Sequence, residues 1–111
     1  MATVEECEAA FERLAARLDQ AVQGGRASSL DRTLSCRLRD LDVVYSARIK
    51  EGRLVDVERA KNDRAKVRLT MTSDDLIALV DGSLRLSSAW AGGRVKVDAS
   101  ITDMVKLRSV F

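Results

Sequence analysis

The chain contains no histidine and no proline among its 111 residues. Without an imidazole it cannot form a serine–histidine catalytic triad, a histidine metal site or a histidine proton shuttle. Without proline it has no cis-prolyl turn and no polyproline segment that a partner could bind. The missing histidine therefore removes the commonest acid–base catalyst near neutral pH.

Aromatic residues and cysteines are also scarce. Aromatic residues make up 4% of the chain, whereas apolar residues make up 46%, so we expect a globular protein with an aliphatic core. The four aromatic residues are Phe11, Tyr45, Trp90 and Phe111. Two cysteines, Cys7 and Cys36, are too few for a disulfide framework or a four-ligand zinc site. We expect both to be reduced core thiols in a cytoplasmic protein.

Neither sign of charge dominates, since 19 basic residues face 17 acidic ones and the net charge is +2. A dedicated nucleic-acid-binding domain is usually strongly basic, so we predict no nucleic-acid partner. The longest apolar run, 76–80, is far shorter than the roughly 20 residues that span a bilayer. The first residues are acidic, unlike the basic start of a signal peptide. We therefore expect one cytoplasmic domain over 1–111.

The N-terminal segment has the pattern of an amphipathic helix. Apolar residues recur at steps of three and four over 4–22, which places them on one face. Thr3 and Glu6 have the spacing of a capping box, and Gly24-Gly25 favours the end of the helix.

Apolar and polar residues then alternate with period two, which predicts strands. The alternating segments are 34–39, 43–50, 64–71 and 94–98, and apolar residues return over 54–57. Glu51-Gly52 interrupts two of them and predicts a hairpin turn. The result is a sheet of five strands.

Helical spacing returns at Thr72, which has the capping-box spacing to Asp75. A short helix is predicted to end at Gly82, and a second to cover 83–91. A last helix is predicted from Ser100 to the end of the chain, and its apolar residues cover more than one narrow stripe. Those residues are Ile101, Met104, Val105, Leu107, Val110 and Phe111.

This order of elements predicts a single α+β domain with a mainly antiparallel five-stranded sheet and helices packed on one face. Seven basic residues fall on outward strand positions: Arg37, Arg39, Arg48, Lys50, Arg64, Lys66 and Arg68. One interpretation is a solvated sheet face whose charges are offset by nearby acidic residues. Another is a face that is attracted to an anionic membrane surface. Nucleic-acid binding is a third interpretation, but exposed aromatic residues for base stacking are missing.

The sequence offers little support for catalysis or metal binding. No serine lies in a Gly-x-Ser-x-Gly elbow, and Gly92-Gly93 lacks the surroundings of a phosphate-binding loop. Asp74 and Asp75 form an acidic pair, but at a helix start they need no purpose beyond the helix dipole. We therefore predict no catalytic residue, no metal and no cofactor.

Three segments resemble the sterol carrier protein family, the non-specific lipid-transfer domain. In 69–76 a strand is followed by a Thr-Ser-Asp-Asp helix cap. In 89–97 an Ala-aromatic pair precedes glycine and then alternating basic and aliphatic residues. The segment 106–111 is similar to the closing helix of the family. Ala99 stands where the family often has glycine, and Leu86-Ser87-Ser88 replaces a proline-containing segment. The C-terminus lacks a Ser-Lys-Leu peroxisomal address, which fits a bacterial-type stand-alone member.

The resemblance implies a non-enzymatic carrier that binds a sterol, a fatty acid or an acyl-CoA between the sheet and the later helices. The positions it assigns to the cavity wall are Met71, Leu76, Leu79, Trp90, Val95, Val97, Met104, Leu107 and Phe111. On residue chemistry alone, a filled core explains the same apolar residues. The alternative function is therefore an accessory or dimerisation domain with a filled core that acts with a partner enzyme, as a monomer or a homodimer.

Overall fold

A computed structural model of the chain describes residues 1–25 and 31–107. Within these ranges lie four helices and five strands. In chain order they are α1 (Val4–Gln23), β1 (Arg32–Leu38), β2 (Val43–Lys50), β3 (Arg53–Glu58), β4 (Val67–Met71), α2 (Ser73–Asp81), α3 (Leu86–Ala91), β5 (Lys96–Asp98) and α4 (Ile101–Leu107).

The five strands form one sheet in the order β3-β2-β1-β4-β5, with β1 at its centre. Three of the four pairings are antiparallel, and β1 and β4 run parallel. The prediction of a mainly antiparallel five-stranded sheet is therefore confirmed. The parallel pair arises because the chain leaves β3 at one edge and crosses to the other side of β1 before β4 begins.

Local capping fixes where the helices begin and end. Thr3 and Glu6 form the predicted capping box at the start of α1, and the Thr72 side chain accepts the amide of Asp75 at the start of α2. Gly82 ends α2 with φ of 87°, and the amide of Leu84 donates to a carbonyl within α2. These residues close α2, and so α3 begins at Leu86 rather than at position 83.

Two strands are also shorter than predicted. The amide of Ala65 donates to the carbonyl of Asn62 in a turn, so β4 starts at Val67. The amides of Arg94 and Val95 both donate to a carbonyl of α3, so β5 is confined to 96–98. The predicted end of the last helix, 108–111, lies outside the described residues.

The core lies between the inner face of the sheet and the helices. In β1, Leu34, Cys36 and Leu38 point inward and are at most 5% exposed. Five residues of α1 are buried against this face: Cys7, Ala10, Phe11, Leu14 and Leu18. Both cysteines are free and buried, as the sequence predicted. No helix in the described ranges is long and apolar enough to cross a membrane.

The outer face of the sheet is polar and carries several of the predicted basic residues. Three of the arginines have carboxylate partners: Arg37 with Asp42 at 4.0 Å, Arg48 with Asp31 at 3.0 Å and Arg68 with Asp98 at 2.5 Å. Contrary to the prediction, Arg39, Arg64 and Lys66 lie outside the strands. The outward cations are therefore fewer than the alternation suggested, and nearby acids partly offset them.

Ser73 is completely buried and joins three parts of the chain. Its hydroxyl and its amide donate to the two carboxylate oxygens of Asp40 at 2.6 and 2.8 Å, and its Oγ accepts the amide of Ala2 at 3.0 Å. Burial opposes the charged carboxylate, but the hydrogen bonds from Ser73 outweigh it and lower the pKa of Asp40. The turn after β1, the start of α2 and the start of the chain are thereby held together.

We expect Asp40→Asn to reduce the free energy of unfolding by about 1–2 kcal/mol at neutral pH, because only one of the two acceptor oxygens remains for Ser73. The folded pKa of Asp40 lies below its ordinary value of 3.8. Its contribution is therefore complete above that pH and is lost as the pH falls through the lowered pKa. Urea unfolding of both proteins near neutral pH and in acid should show the difference between them shrinking in acid.

Asp42→Asn is the matched control for this experiment. Asp42 lies in the same turn and is fully exposed, and its φ of 51° is one that asparagine adopts readily. We expect its free energy of unfolding to change by less than about 0.5 kcal/mol. Equal losses in the two variants, or a loss in Asp40→Asn that persists in acid, would contradict the role given to Asp40.

Candidate ligand-binding site

An apolar cavity of about 540 Å³ lies between α3, β5 and α4. Seven of its eight lining residues are apolar, and the one polar side chain is Ser87. The apolar lining residues are Leu86, Trp90, Val97, Ile101, Met104, Val105 and Leu107. We call this space the apolar cavity.

The apolar cavity opens to solvent through apolar side chains. Trp90 is 53% exposed, Ile101 81% and Val105 60%. Isolated exposed apolar residues are common on protein surfaces, but adjoining ones around a cavity are typical of a binding site. The rim therefore has the character of a ligand entrance.

Helical geometry explains why α4 contributes most to the wall. Ile101, Met104 and Val105 are spaced at i, i+3 and i+4, so they share one face of α4. Leu107, at the end of the described part of α4, is completely buried and also reaches the cavity. From α3, Leu86 is buried whereas Trp90 is half-exposed at the rim.

Hydrogen bonds and an ion pair hold α3 and β5 at a fixed separation. The amides of Arg94 and Val95 donate to the carbonyl of Ala89 at 2.9 and 3.2 Å. The Arg94 guanidinium donates through Nε and Nη2 to Oδ1 of Asp75, the Nε distance being 3.1 Å. Asp75 is 6% exposed, so this pair ties the segment before β5 to the buried start of α2.

A second ion pair anchors the start of α4. Nε of Arg32 in β1 donates to Oδ2 of Asp103 at 3.2 Å. The amide of Asp103 donates to Oγ of Ser100 at 3.1 Å, so Ser100, where the last helix was predicted to begin, caps α4. These contacts fix α4 to the sheet on the side away from the apolar cavity.

The structure brings together some of the nine predicted wall residues. Trp90, Val97, Met104 and Leu107 line the apolar cavity. Four others are at most 1% exposed and pack within the core instead: Met71, Leu76, Leu79 and Val95. Phe111 lies outside the described residues.

Four lining residues were not among those predicted: Leu86, Ser87, Ile101 and Val105. A signal for three of them was present in the sequence. Leu86 has an apolar position in the second short helix, and Ile101 and Val105 widen the apolar stripe of the last one. In the last helix, an apolar stripe wider than core packing requires was the sequence pattern that indicated this wall.

None of the described residues that line the apolar cavity is titratable. The buried thiols lie elsewhere, and burial raises the pKa of Cys7 to about 11 and that of Cys36 to about 12. Both thiols therefore stay protonated and are poor nucleophiles. In 1–25 and 31–107 there is no group of three or more Cys, Asp or Glu side chains that could hold a metal ion.

Comparison with known families decides the relationship. Residues 11–111 match the model of the SCP-2 sterol transfer family. The chain belongs to this family. The resemblance inferred from the three sequence segments is thereby confirmed. No curated protein matches this SCP-2 family chain.

Solved structures with the same fold include stand-alone and embedded examples. Sterol carrier protein 2 like 2 from Aedes aegypti is 18% identical and has a TM-score of 0.72, and the match covers 98% of this chain and 100% of that one. Sterol carrier protein 2 from the same organism, in complex with the C16 fatty acid palmitate, is 20% identical with a TM-score of 0.61, and 89% and 91% are covered. Both identities are low, so these two likenesses establish the fold.

An embedded example is the stereoselective inverting sec-alkylsulfatase Pisa1 from Pseudomonas sp. It is 27% identical over 91% of this chain, with a TM-score of 0.67. This SCP-2 family chain spans only 15% of the length of the sulfatase chain. The same domain therefore occurs within a longer enzyme.

We expect Arg94→Gln to lower the free energy of unfolding by about 2 kcal/mol, because it leaves the buried Asp75 carboxylate without its cation. The matched control is Arg68→Gln, which breaks a pair whose two side chains are both about half-exposed or more. Exposed pairs contribute little, so the control should lose less than about 1 kcal/mol. Urea unfolding measures both losses, and equal values would show that Asp75 does not depend on Arg94.

Proposed function

We propose that this SCP-2 family domain is a non-enzymatic lipid carrier. It would hold the apolar part of a fatty acid, an acyl-CoA or a sterol in the apolar cavity. The observation that carries the proposal is the wall itself, with seven apolar residues and no titratable one. Its volume of about 540 Å³ suits a lipid-sized ligand, since small-molecule pockets usually measure roughly 300–1,000 Å³.

The wall favours affinity through apolar area rather than through recognition of a headgroup. Each methylene buried there contributes about 0.8 kcal/mol, and among the described side chains of the wall only the Ser87 hydroxyl and the Trp90 indole N–H can form a conventional hydrogen bond. We therefore expect lipids of similar length to be discriminated weakly. The charged end of a ligand would stay in solvent at the rim, because the wall cannot replace its hydration.

The relatives support a lipid ligand. The Aedes aegypti protein with the same fold was solved with palmitate, which makes a long-chain fatty acid the first ligand to test. The buried free thiols favour a reducing compartment, so we place the carrier in the cytoplasm. Brief contact with an anionic membrane surface, favoured by the outward cations, would load and unload it.

An accessory role is the second candidate function. It is favoured by the sulfatase, in which a domain related to this one makes up 15% of the chain. In this case the domain would act with a partner enzyme, and the apolar cavity would help to form or shield a site on that partner. The two functions make different predictions for the isolated domain: a carrier binds lipid by itself, whereas an accessory domain does not need to.

We expect palmitate to shift the emission of Trp90 to shorter wavelength and to saturate near one molecule per chain. Trp90 is the only tryptophan, and its half-exposed ring would be covered by the ligand. Ile101→Asp should weaken binding at least about tenfold, because it places a carboxylate on an apolar wall. Fluorescence titration measures both effects.

Thr102→Asp is the control for this substitution. It adds the same charge at the neighbouring exposed position of α4, outside the wall, and should leave the affinity unchanged. Native mass spectrometry that finds the domain empty with palmitate, an acyl-CoA and a sterol alike would exclude the carrier. Sedimentation of the domain with and without a candidate enzyme would then test the accessory role.

A further inference from the structure

A second cavity, of about 530 Å³, lies on the other side of α4 from the apolar cavity. It lies beside the start of β1, the end of β2 and the segments that precede β4 and α4. The described residues that line it all have polar or charged side chains: Asp31, Arg32, Thr33, Arg48, Lys66, Ser100 and Asp103. We call it the basic cleft, because three cations face two carboxylates.

The two arginines of the basic cleft keep donors in reserve. Arg32 uses Nε on Asp103 and Nη1 on the carbonyl of Asp31, the latter at 2.7 Å. Arg48 directs Nε and Nη2 at the single oxygen Oδ1 of Asp31, at 3.1 and 3.0 Å. Within the described parts of the chain, Nη2 of Arg32 and Nη1 of Arg48 have no acceptor.

The hydroxyls and the lysine add further donors. Oγ1 of Thr33 accepts the amide of Lys66 at 3.0 Å, and Oγ of Ser100 accepts the amide of Asp103. Neither hydroxyl donates to an acceptor in the described parts of the chain, so both hydrogens are available to a ligand. The Lys66 ammonium makes no ion pair with any residue in 1–25 or 31–107.

Each of the two carboxylates of the basic cleft keeps one oxygen without a partner among the described residues. Oδ2 of Asp103 is bonded to Arg32, and Oδ1 is buried from solvent without a partner among the described residues. Oδ1 of Asp31 already receives both contacts from Arg48. Three cations against two carboxylates leave the net charge of the basic cleft positive, and its unused groups include N–H and O–H donors beside these two acceptor oxygens.

We propose that the basic cleft binds a phosphate group. A phosphate offers only acceptor oxygens when fully ionised, and guanidinium and ammonium donors bind it with strong charge-assisted hydrogen bonds. Arg48 and Lys66 would contact its oxygens directly, with Thr33 and Ser100 donating from either side. The group could belong to a soluble phosphate ester or to a phospholipid headgroup, since both present the same chemistry.

Titration with inorganic phosphate tests the site in the intact protein. Amide NMR resonances of Thr33, Lys66 and Ser100 should shift in a saturable manner. Lys66→Gln should weaken phosphate binding by about tenfold, because it removes the cation that has no ion-pair partner among the described residues, whereas Lys66→Arg should largely preserve it. If these amides do not respond to phosphate, the proposal is wrong.

Lys50→Gln is the matched control. Lys50 is an exposed residue of β2, two positions beyond Arg48 on the same face, and it does not line the basic cleft. Its loss should weaken phosphate binding less than about twofold, because a remote charge changes the electrostatic potential at the basic cleft only slightly. Equal losses in Lys50→Gln and Lys66→Gln would mean general surface attraction and would overturn the proposal.

Vesicles distinguish the two sources of phosphate. The protein is sedimented with phosphatidylcholine vesicles that contain phosphatidic acid. If Lys66→Gln no longer co-sediments with them and Lys50→Gln still does, the cleft binds a lipid headgroup. Phosphate binding without vesicle binding would assign it to a soluble ester. Palmitate binding by Lys66→Gln should be unchanged, so failure of the basic cleft and failure of the apolar cavity can be told apart.

Discussion

Burial of the inner face of the sheet beneath α1 and α2 is the interaction on which the rest of the structure depends. The central strand contributes Leu34, Cys36 and Leu38, and Leu76 and Leu79 of α2 are at most 1% exposed. Each large aliphatic side chain removed from water contributes roughly 1.5–3 kcal/mol. In the described residues α3 and α4 add Leu86, Ala89 and Leu107 to this core, and other apolar residues of the two helices border the space at the β5 edge of the sheet.

The space remains open because its walls are held by polar contacts at their ends. Apolar attraction alone would draw α4 against α3. The pair between Arg94 and Asp75 instead fixes the segment that joins α3 to β5, and the pair between Arg32 and Asp103 fixes the start of α4 to the sheet. A hydrophobic cavity is thus supported by charged residues that do not line it.

In α1, β1, β2 and β4 the sequence was sufficient to predict which apolar residues face inward, because periods of two and of three to four follow directly from backbone geometry. The cap at Thr3 and the end of α2 at Gly82 were predictable for the same local reason. The parallel pairing of β1 with β4 was not, since it depends on the path of a connection rather than on any pattern within a strand.

The cavity wall shows the same limit in more detail. Leu79 and Met104 have equivalent apolar positions in their helices, yet Leu79 packs in the core and Met104 faces open space. Periodicity identifies the inward side of a helix but not whether another element fills the volume beyond it. Residues such as Ile101, which is 81% exposed, can be recognised as part of a wall only once the neighbouring helix is in place.

The seven residues of α4 form a partition between two compartments of opposite chemistry. Ile101, Met104 and Val105 face the apolar side, while Asp103 faces the polar side and is held by Arg32. A group that draws Arg32 away from Asp103 would remove a contact that holds α4 against the sheet. If a ligand on one side moved α4 in this way, reciprocity would require a ligand on the other side to change the affinity of the first by the same factor.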